Sequence, residues 1–247
     1  MFSIFKNMSK VRTRYAIRLL FRCIVFAVCF VVWLVRPQTY DILQGWNFFK
    51  TLSPLHILWV IWVIDMVEQL LPIKSHIALG SAKLWKFSFR PARQGIDMQA
   101  LKQYISSSNK YALWVLVLWV ALIAAIGAVR FTGLIDDNLL FLCTAAFYVF
   151  DLVCVLIWCP FRLIMRAKCC TTCRIFNWDH MMMFSPMLFV KGFYGWSLLA
   201  IGLAALAVWE VFIFLHPERF WFGSNEALTC ANCTDKLCTQ YCRKLRK

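Results

Sequence analysis

The sequence is poor in charge, and above all in negative charge. Only 16% of its 247 residues are charged, and 12 acids stand against 27 basic residues. It contains no P-loop, no G-x-S-x-G nucleophile elbow, no H-E-x-x-H zinc motif and no dinucleotide fingerprint. The low charge excludes an ordinary soluble domain, and the missing motifs argue against classical soluble enzyme chemistry. Whether the chain is an enzyme stays open.

The sequence has apolar residues in excess. Hydrophobic residues make up 62% of the chain, whereas soluble domains lie nearer half. The excess sits in long runs, which predicts an all-α, polytopic transmembrane helical bundle in the cell membrane. Because the basic residues flank these runs, where they meet anionic headgroups, the expected partner is the lipid bilayer, with protein partner subunits also compatible and nucleic acid not expected.

Five apolar runs are long enough to cross a bilayer, at about residues 17–35, 55–71, 111–129, 139–158 and 195–215. Met181 to Val190 is apolar but too short to cross. Met98 to Ile105 predicts a short surface helix that ends at the break Ser106 to Asn109.

This pattern divides the chain into four parts. They are a basic N-terminus with the first helix (1–35), a helix–basic loop–helix unit (36–138), a helix–cysteine loop–helix unit (139–215) and a cysteine-rich tail (216–247). The two units share an order of acid, proline and basic loop. That order fits two helix–loop–helix repeats after an N-terminal helix, and it also fits chance likeness between apolar spans.

The basic residues also predict orientation. With five spans, 18 Lys and Arg residues lie on the N-terminal side and nine on the other, and six of those nine are in the tail. The positive-inside rule therefore places the N-terminus and the loop around Cys169 in the cytoplasm. Parity places the tail on the opposite side, although its basic end is typical of the cytoplasm.

Cysteine is the residue type that indicates chemistry. The spacing C-x-x-C lets two thiolates bind one metal ion or form a reactive disulfide. Such a group follows the fourth span, and we expect its neighbours Lys168 and Arg174 to lower the thiol pKa values. Asp179 offers an alternative to metal binding by the histidine, since it can orient that ring instead. The candidate ligands are Cys169, Cys170, Cys173 and His180.

The tail holds a second cluster, Cys230, Cys233, Cys238 and Cys242. Four cysteines this close can bind zinc or an iron–sulfur cluster, or form two disulfides in an oxidising compartment. Cys170-x-x-Cys173 and Cys230-x-x-Cys233 together have the paired spacing of a zinc ribbon. That combination conflicts with the five-span parity.

Four acids lie inside or at the ends of the apolar runs: Asp65, Glu68, Asp151 and Glu210. A carboxylate in the bilayer is unfavourable, so each should face a polar interior, find a partner or hold a proton. One interpretation is a proton or cation path. The alternative is that the acids lie near span ends and are hydrated there.

Three functional hypotheses follow. The leading one is a membrane protein whose cysteine clusters bind zinc or an iron–sulfur centre at the membrane surface, with electron transfer as a role. The second is a membrane thiol–disulfide exchanger with Cys154 and Cys159 as a thiol relay. The third is a transporter or scaffold that uses the intramembrane acids, in which the cysteines only stabilise the fold. Cysteines in apolar runs otherwise behave as small hydrophobic residues.

Overall fold

The structure is a computed structural model that describes residues 10–71, 79–167, 169, 172–233 and 237. This part of the chain is helical, as predicted, and its only bridges of β type are two isolated pairs. The helices are α1 (Lys10–Val35), α2 (Leu55–Leu70), α3 (Leu79–Ala82), α4 (Met98–Phe131), α5 (Asp137–Leu156), α6 (Pro160–Ile164), α7 (Asp179–Phe184) and α8 (Phe193–Leu215).

Of the described helices, α1, α4, α5 and α8 are long and apolar enough to cross a membrane. Their outward faces carry large exposed apolar side chains, such as Ile24 on α1 and Leu118 on α4, as expected for helices that contact lipid. The predicted membrane bundle is therefore confirmed. Helix α2 has only 16 residues, and the count of five spans, the domain division and the internal repeat stay predictions.

Helix α4 is longer than predicted. Asp97 caps it by accepting hydrogen bonds from the backbone N–H groups of Gln99 and Ala100, and the helix then continues through Ser106 to Asn109 without a break. The predicted break is wrong because tertiary contacts hold these turns. Tyr104 stacks on Trp221 with ring centroids 5.7 Å apart, which offsets the weak helix propensity of serine.

The centre of the bundle is an aromatic cluster around Trp62 of α2, which is fully buried. Its ring centroid lies 5.2 to 6.4 Å from four other rings, those of Phe141, Tyr148, Phe184 and Tyr194. Each such pair contributes about 0.5–1.5 kcal/mol beyond its burial. These contacts join α2 to α5, α7 and α8.

One end of the bundle, the bridge end, is closed where the loop after α1 meets the start of α8. The Gly45 N–H donates to the Lys191 carbonyl at 2.7 Å, and the Phe193 N–H donates to the Gly45 carbonyl at 2.9 Å. A Cβ atom on Gly192 would lie 1.8 Å from the Leu43 carbonyl oxygen. The close approach of the two backbones therefore requires glycine at position 192.

The other end, the cysteine end, holds the start of α1, the end of α5 and the described tail. Leu237 packs in one cluster with Val11 of α1, Leu156 of α5 and Phe176. The chain returns to the bridge end through residues 174–192, which form α7 and a 3-10 turn, Ser185–Phe189. Irregular backbone is tolerated here because most of this segment is buried in protein.

This crossing changes the expected topology. Parity with five spans separates the tail from the loop around Cys169, but both lie at the cysteine end. The reason is that residues 181–190, too short for one membrane helix, run with their neighbours from the cysteine end to the bridge end as a broken segment packed against Trp62. The described members of the two clusters, Cys169 and Cys173 on one hand and Cys230 and Cys233 on the other, are therefore at the same end of the bundle.

Candidate functional site

A buried arginine lies where α1, α2 and α5 meet. The Arg22 side chain is 7% exposed and donates to Asp151 Oδ2 at 2.6 Å and to the Tyr148 carbonyl at 2.8 Å. Its Nη2 lies 3.6 Å from Asp65 Oδ2. The guanidinium also lies 3.9 Å from the centroid of the Tyr148 ring, whose hydroxyl donates to Asp65. One cation thus joins two of the predicted acids from different helices.

A second ion pair lies next to the first on the same two helices. Arg18 precedes Arg22 by one turn of α1, and its Nη2 lies 3.1 Å from Oε2 of Glu68, which follows Asp65 by one turn of α2. Both side chains of this pair are about half exposed, at 53% and 45%. Glu68 therefore fits the alternative of an acid near a span end, whereas Asp65 lies further inside.

Asp179 and His180 form a further buried pair at the start of α7. Asp179 accepts from Gln69 Nε2 at 2.8 Å and from the His180 backbone N–H at 2.8 Å, and its Oδ1 lies 3.1 Å from His180 Nδ1.

This pairing decides how His180 is placed. Asp179 orients the ring, which is the arrangement offered above as an alternative to metal binding. The other ring nitrogen, Nε2, is buried and has no hydrogen-bond partner in the part of the chain that the structure describes.

Cys154 and Cys159 lie on either side of the end of α5. The helix ends at Leu156, and Pro160 begins α6 directly after Cys159. This turn brings the two thiols into a hydrogen bond with each other. Both also line a cavity of about 370 Å³, so the structure brings the two predicted relay cysteines together.

The cavity is lined by aromatic and other apolar side chains, together with thiol and carboxyl groups. Its other lining groups include the side chains of Asp151, Cys173 and Asp179. Phe150 and Trp158, at its edge, are 57% and 50% exposed on the outer surface of the bundle. Its volume is that of a small-molecule site. The aromatic lining consists of Trp119, Phe147, Phe150, Trp158, Phe161 and Phe176.

Cys173 is buried beside Lys83. Burial raises the pKa of the Cys173 thiol to about 11, so the expected lowering of its pKa is wrong. Arg174 does not favour the thiolate because its guanidinium is engaged with Glu210, and Lys168 lies outside the described residues. Lys83 is 2% exposed, with Nζ 3.5 Å from the Cys173 carbonyl oxygen, and burial lowers the pKa of Lys83 to about 8.

The predicted metal ligands are only partly described. Cys170, Cys238 and Cys242 lie outside the described residues. Among the side chains that the structure does describe, including Cys169, Cys173, His180, Cys230 and Cys233, no group of three or more His, Cys, Asp or Glu is placed to hold a metal ion. The described part therefore gives the metal prediction no direct support.

Glu210, the fourth predicted acid, is paired at the edge of a groove between α4 and α8. Arg174 contacts it through both Nε and Nη2, and Trp178 Nε1 donates to its Oε1 at 2.7 Å. Arg174 also donates to Asn109 of α4. This cluster ties the loop after α6 to two long helices.

No family model, curated protein or solved structure matches this chain. Its function is therefore argued from side-chain chemistry. The best candidate for a reactive site is the cavity lined by Cys154 and Cys159, because it combines two interacting thiols with space for a ligand.

Sequence reasoning found the acids and missed their partners. Arg22 lies near the start of the first predicted span, and its side chain points inward to Asp151. A signal was available, because Arg18 and Arg22 are four residues apart and Asp65 and Glu68 are three apart, so the members of each pair share a helix face. Nothing in the sequence indicates that Lys83 is buried.

Proposed function

We propose that this chain is an integral membrane thiol–disulfide exchange protein whose redox pair is Cys154 and Cys159. The observation that supports this function is the hydrogen bond between the two thiols inside the cavity. Cysteines in a disulfide have Cβ atoms about 3.5–4.5 Å apart. Thiols that already interact inside one cavity need less movement to close that bond than thiols on separate elements.

The exchange step takes two electrons from a dithiol. A substrate thiolate attacks the sulfur of Cys159 in the Cys154–Cys159 disulfide, so a mixed disulfide forms and Cys154 leaves as a thiolate. The second substrate thiolate attacks the mixed disulfide and releases Cys159. The substrate becomes a disulfide, and the pair takes up two protons as two thiols. Cys159 is the sulfur attacked because it lies beyond the end of α5.

The cysteine end is the cytoplasmic end in this proposal, and with it the N-terminus. Basic residues at the bridge end are few in the described part of the chain: Arg36, Lys50, Arg130 and Lys191. Arg219, in the tail, bonds to the Leu84 carbonyl at the cysteine end. The positive-inside rule places the more basic end in the cytoplasm of a cell membrane.

The test is to equilibrate the purified protein at defined potentials and to label its thiols by differential alkylation. We expect a disulfide between Cys154 and Cys159 to form between about −300 and −120 mV, the range from structural disulfides to strong protein oxidants. Cys154→Ser and Cys159→Ser should abolish this transition. Cys143→Ser, on the same helix but outside the cavity lining, should leave it unchanged. A pair that stays reduced throughout would reject the proposal.

A metal site at the cysteine end is the second candidate. Supporting it, Leu237 of the tail packs with Phe176, close to the first cluster, so the described tail and the loop around Cys173 lie at one end, as the paired C-x-x-C spacing requires. In this proposal zinc or an iron–sulfur cluster is bound by Cys170, Cys173, Cys230 and Cys233, with Cys169, Cys238 and Cys242 as further thiolate donors.

Metal analysis of the purified protein tests this second candidate. We expect bound zinc or iron that is lost in Cys173→Ser and in Cys233→Ser and kept in Cys143→Ser. Protein isolated under reducing, anaerobic conditions with no bound metal would rule it out. The redox transition of Cys154 and Cys159 does not depend on this result.

A further inference from the structure

We infer that the cavity beside Cys154 and Cys159 binds the ring of a lipid-soluble quinone, which accepts the electrons of this thiol pair. The inference rests on the proposed function. The pair must be reoxidised after each exchange, and no second described thiol pair in the cavity is placed to do this. The oxidant must therefore enter the cavity.

The walls of the cavity define the class of that oxidant. Six aromatic side chains favour a flat apolar ring, since aromatic faces stack on such rings. The carboxylates that line the cavity already have partners, Asp151 with Arg22 and Asp179 with Gln69 and His180, so the site favours an uncharged ligand. The exposed rings of Phe150 and Trp158 mark an opening on the surface that contacts lipid. An uncharged, flat oxidant that arrives from the bilayer is a quinone.

The redox step balances without another reactant. The S–H bonds of Cys154 and Cys159 break and an S–S bond forms, which releases two electrons and two protons. The quinone takes up both electrons and both protons on its two oxygens and leaves as a hydroquinone.

The experiment mixes the reduced protein, in lipid nanodiscs without oxygen, with decylubiquinone. The ring of this quinone is fully substituted, so it cannot form a stable thioether with a cysteine. We expect one hydroquinone per protein chain, measured by absorbance, together with loss of the Cys154 and Cys159 thiols. Val153→Trp, which fills the cavity, should slow the reaction at least about tenfold, because a displaced ring loses the contact that transfer requires.

Two controls keep the result specific. Val149→Trp adds the same side chain on α5 outside the cavity lining and should keep the wild-type rate, which separates loss of the site from loss of folding. Diamide, a thiol oxidant that needs no binding site, should form the disulfide in both variants.

Each remaining outcome overturns something definite. If diamide forms the Cys154–Cys159 disulfide and the quinone does not, the inference is wrong and the proposed function stands. If both tryptophan variants react with the quinone at the wild-type rate, the cavity is not the site. If neither oxidant forms the disulfide, the proposed function fails as well.

Discussion

Two ion pairs on the same two helices differ mainly in depth. Arg18–Glu68 and Arg22–Asp65 are one helical turn apart on α1 and α2. The outer pair is about half exposed, whereas Arg22 is buried and shared by Asp65 and Asp151. Both pairs join an arginine to a carboxylate, so the comparison shows what burial and a second carboxylate add.

The difference in burial between the two ion pairs shows which of them stabilises the packing of the helices. An exposed pair contributes about 0–1 kcal/mol because surrounding water and headgroups already stabilise the separate charges. At the inner pair, removing one partner leaves the other buried and uncompensated, which costs several kcal/mol. Arg22 therefore governs whether α1, α2 and α5 stay together, and the pairing of Asp65 and Asp151 fits a structural role better than a cation path.

The largest expected effect is that of Arg22→Met. It leaves two buried carboxylates without their cation and should lower the free energy of unfolding by about 3–5 kcal/mol. The measurement is unfolding by SDS titration in mixed micelles. Adding Asp151→Asn to Arg22→Met should restore part of the loss, since one of the two uncompensated charges is then gone. A double variant as unstable as Arg22→Met would show that the carboxylates are not the cause.

Lys83 sharpens the comparison because it is as buried as Arg22 but, among the described residues, has no carboxylate within 4.0 Å. Lys83→Met removes a buried charge and should raise the free energy of unfolding by about 1–3 kcal/mol at pH 7.

The pH dependence of this effect has a definite sign. The pKa of Lys83 is about 8 in the folded state and about 10.4 in an unfolded chain. Between these values the unfolded state binds more protons, so the stability of the wild type rises with pH. The gap between wild type and Lys83→Met should therefore narrow from pH 7.5 to pH 10. Comparing the two proteins cancels the titration of Tyr104, which Lys83 does not influence, and an unchanged gap would contradict the assignment.

Glu210→Gln tests a pair of intermediate depth. Arg174 is 16% and Glu210 is 30% exposed, and glutamine keeps an oxygen that can accept from Trp178. We expect the free energy of unfolding to fall by about 1–2 kcal/mol, between the inner and outer pairs. The same SDS titration measures it. A loss as large as that of Arg22→Met would mean that depth does not set the order.

The smallest effect is expected from Arg18→Gln. Removing half of an exposed pair should change the free energy of unfolding by less than about 0.5 kcal/mol, and added salt should reduce the change further. A loss above about 2 kcal/mol would place the outer pair in the same class as the inner one.

Much of the fold followed from the sequence because lipid imposes a strong rule. A long apolar run must be a helix in a bilayer, so four of the predicted runs lie within α1, α4, α5 and α8. The rule did not predict the path of residues 174–192 from one end of the bundle to the other. Its backbone is enclosed by other parts of the protein, and enclosure depends on packing that hydropathy does not record.

The candidate site was predictable only in its parts. Cys154 and Cys159 were named as a thiol relay, but their interaction depends on how the chain turns at Pro160. The pKa of Cys173 was predicted with the wrong sign because neighbours in sequence were taken as neighbours in space. Arg174 points to Glu210, and burial sets the thiol pKa instead.

Gly192 carries no charge, meets no ligand and lies at the opposite end of the molecule from Cys154 and Cys159. A single methyl group there would strike the backbone at Leu43 and push the loop after α1 away from the start of α8. A random mutagenesis screen for lost activity should therefore recover alanine at this position, far from any reactive atom. Such a variant would lose activity because the helices no longer pack correctly, although position 192 takes no part in the reaction.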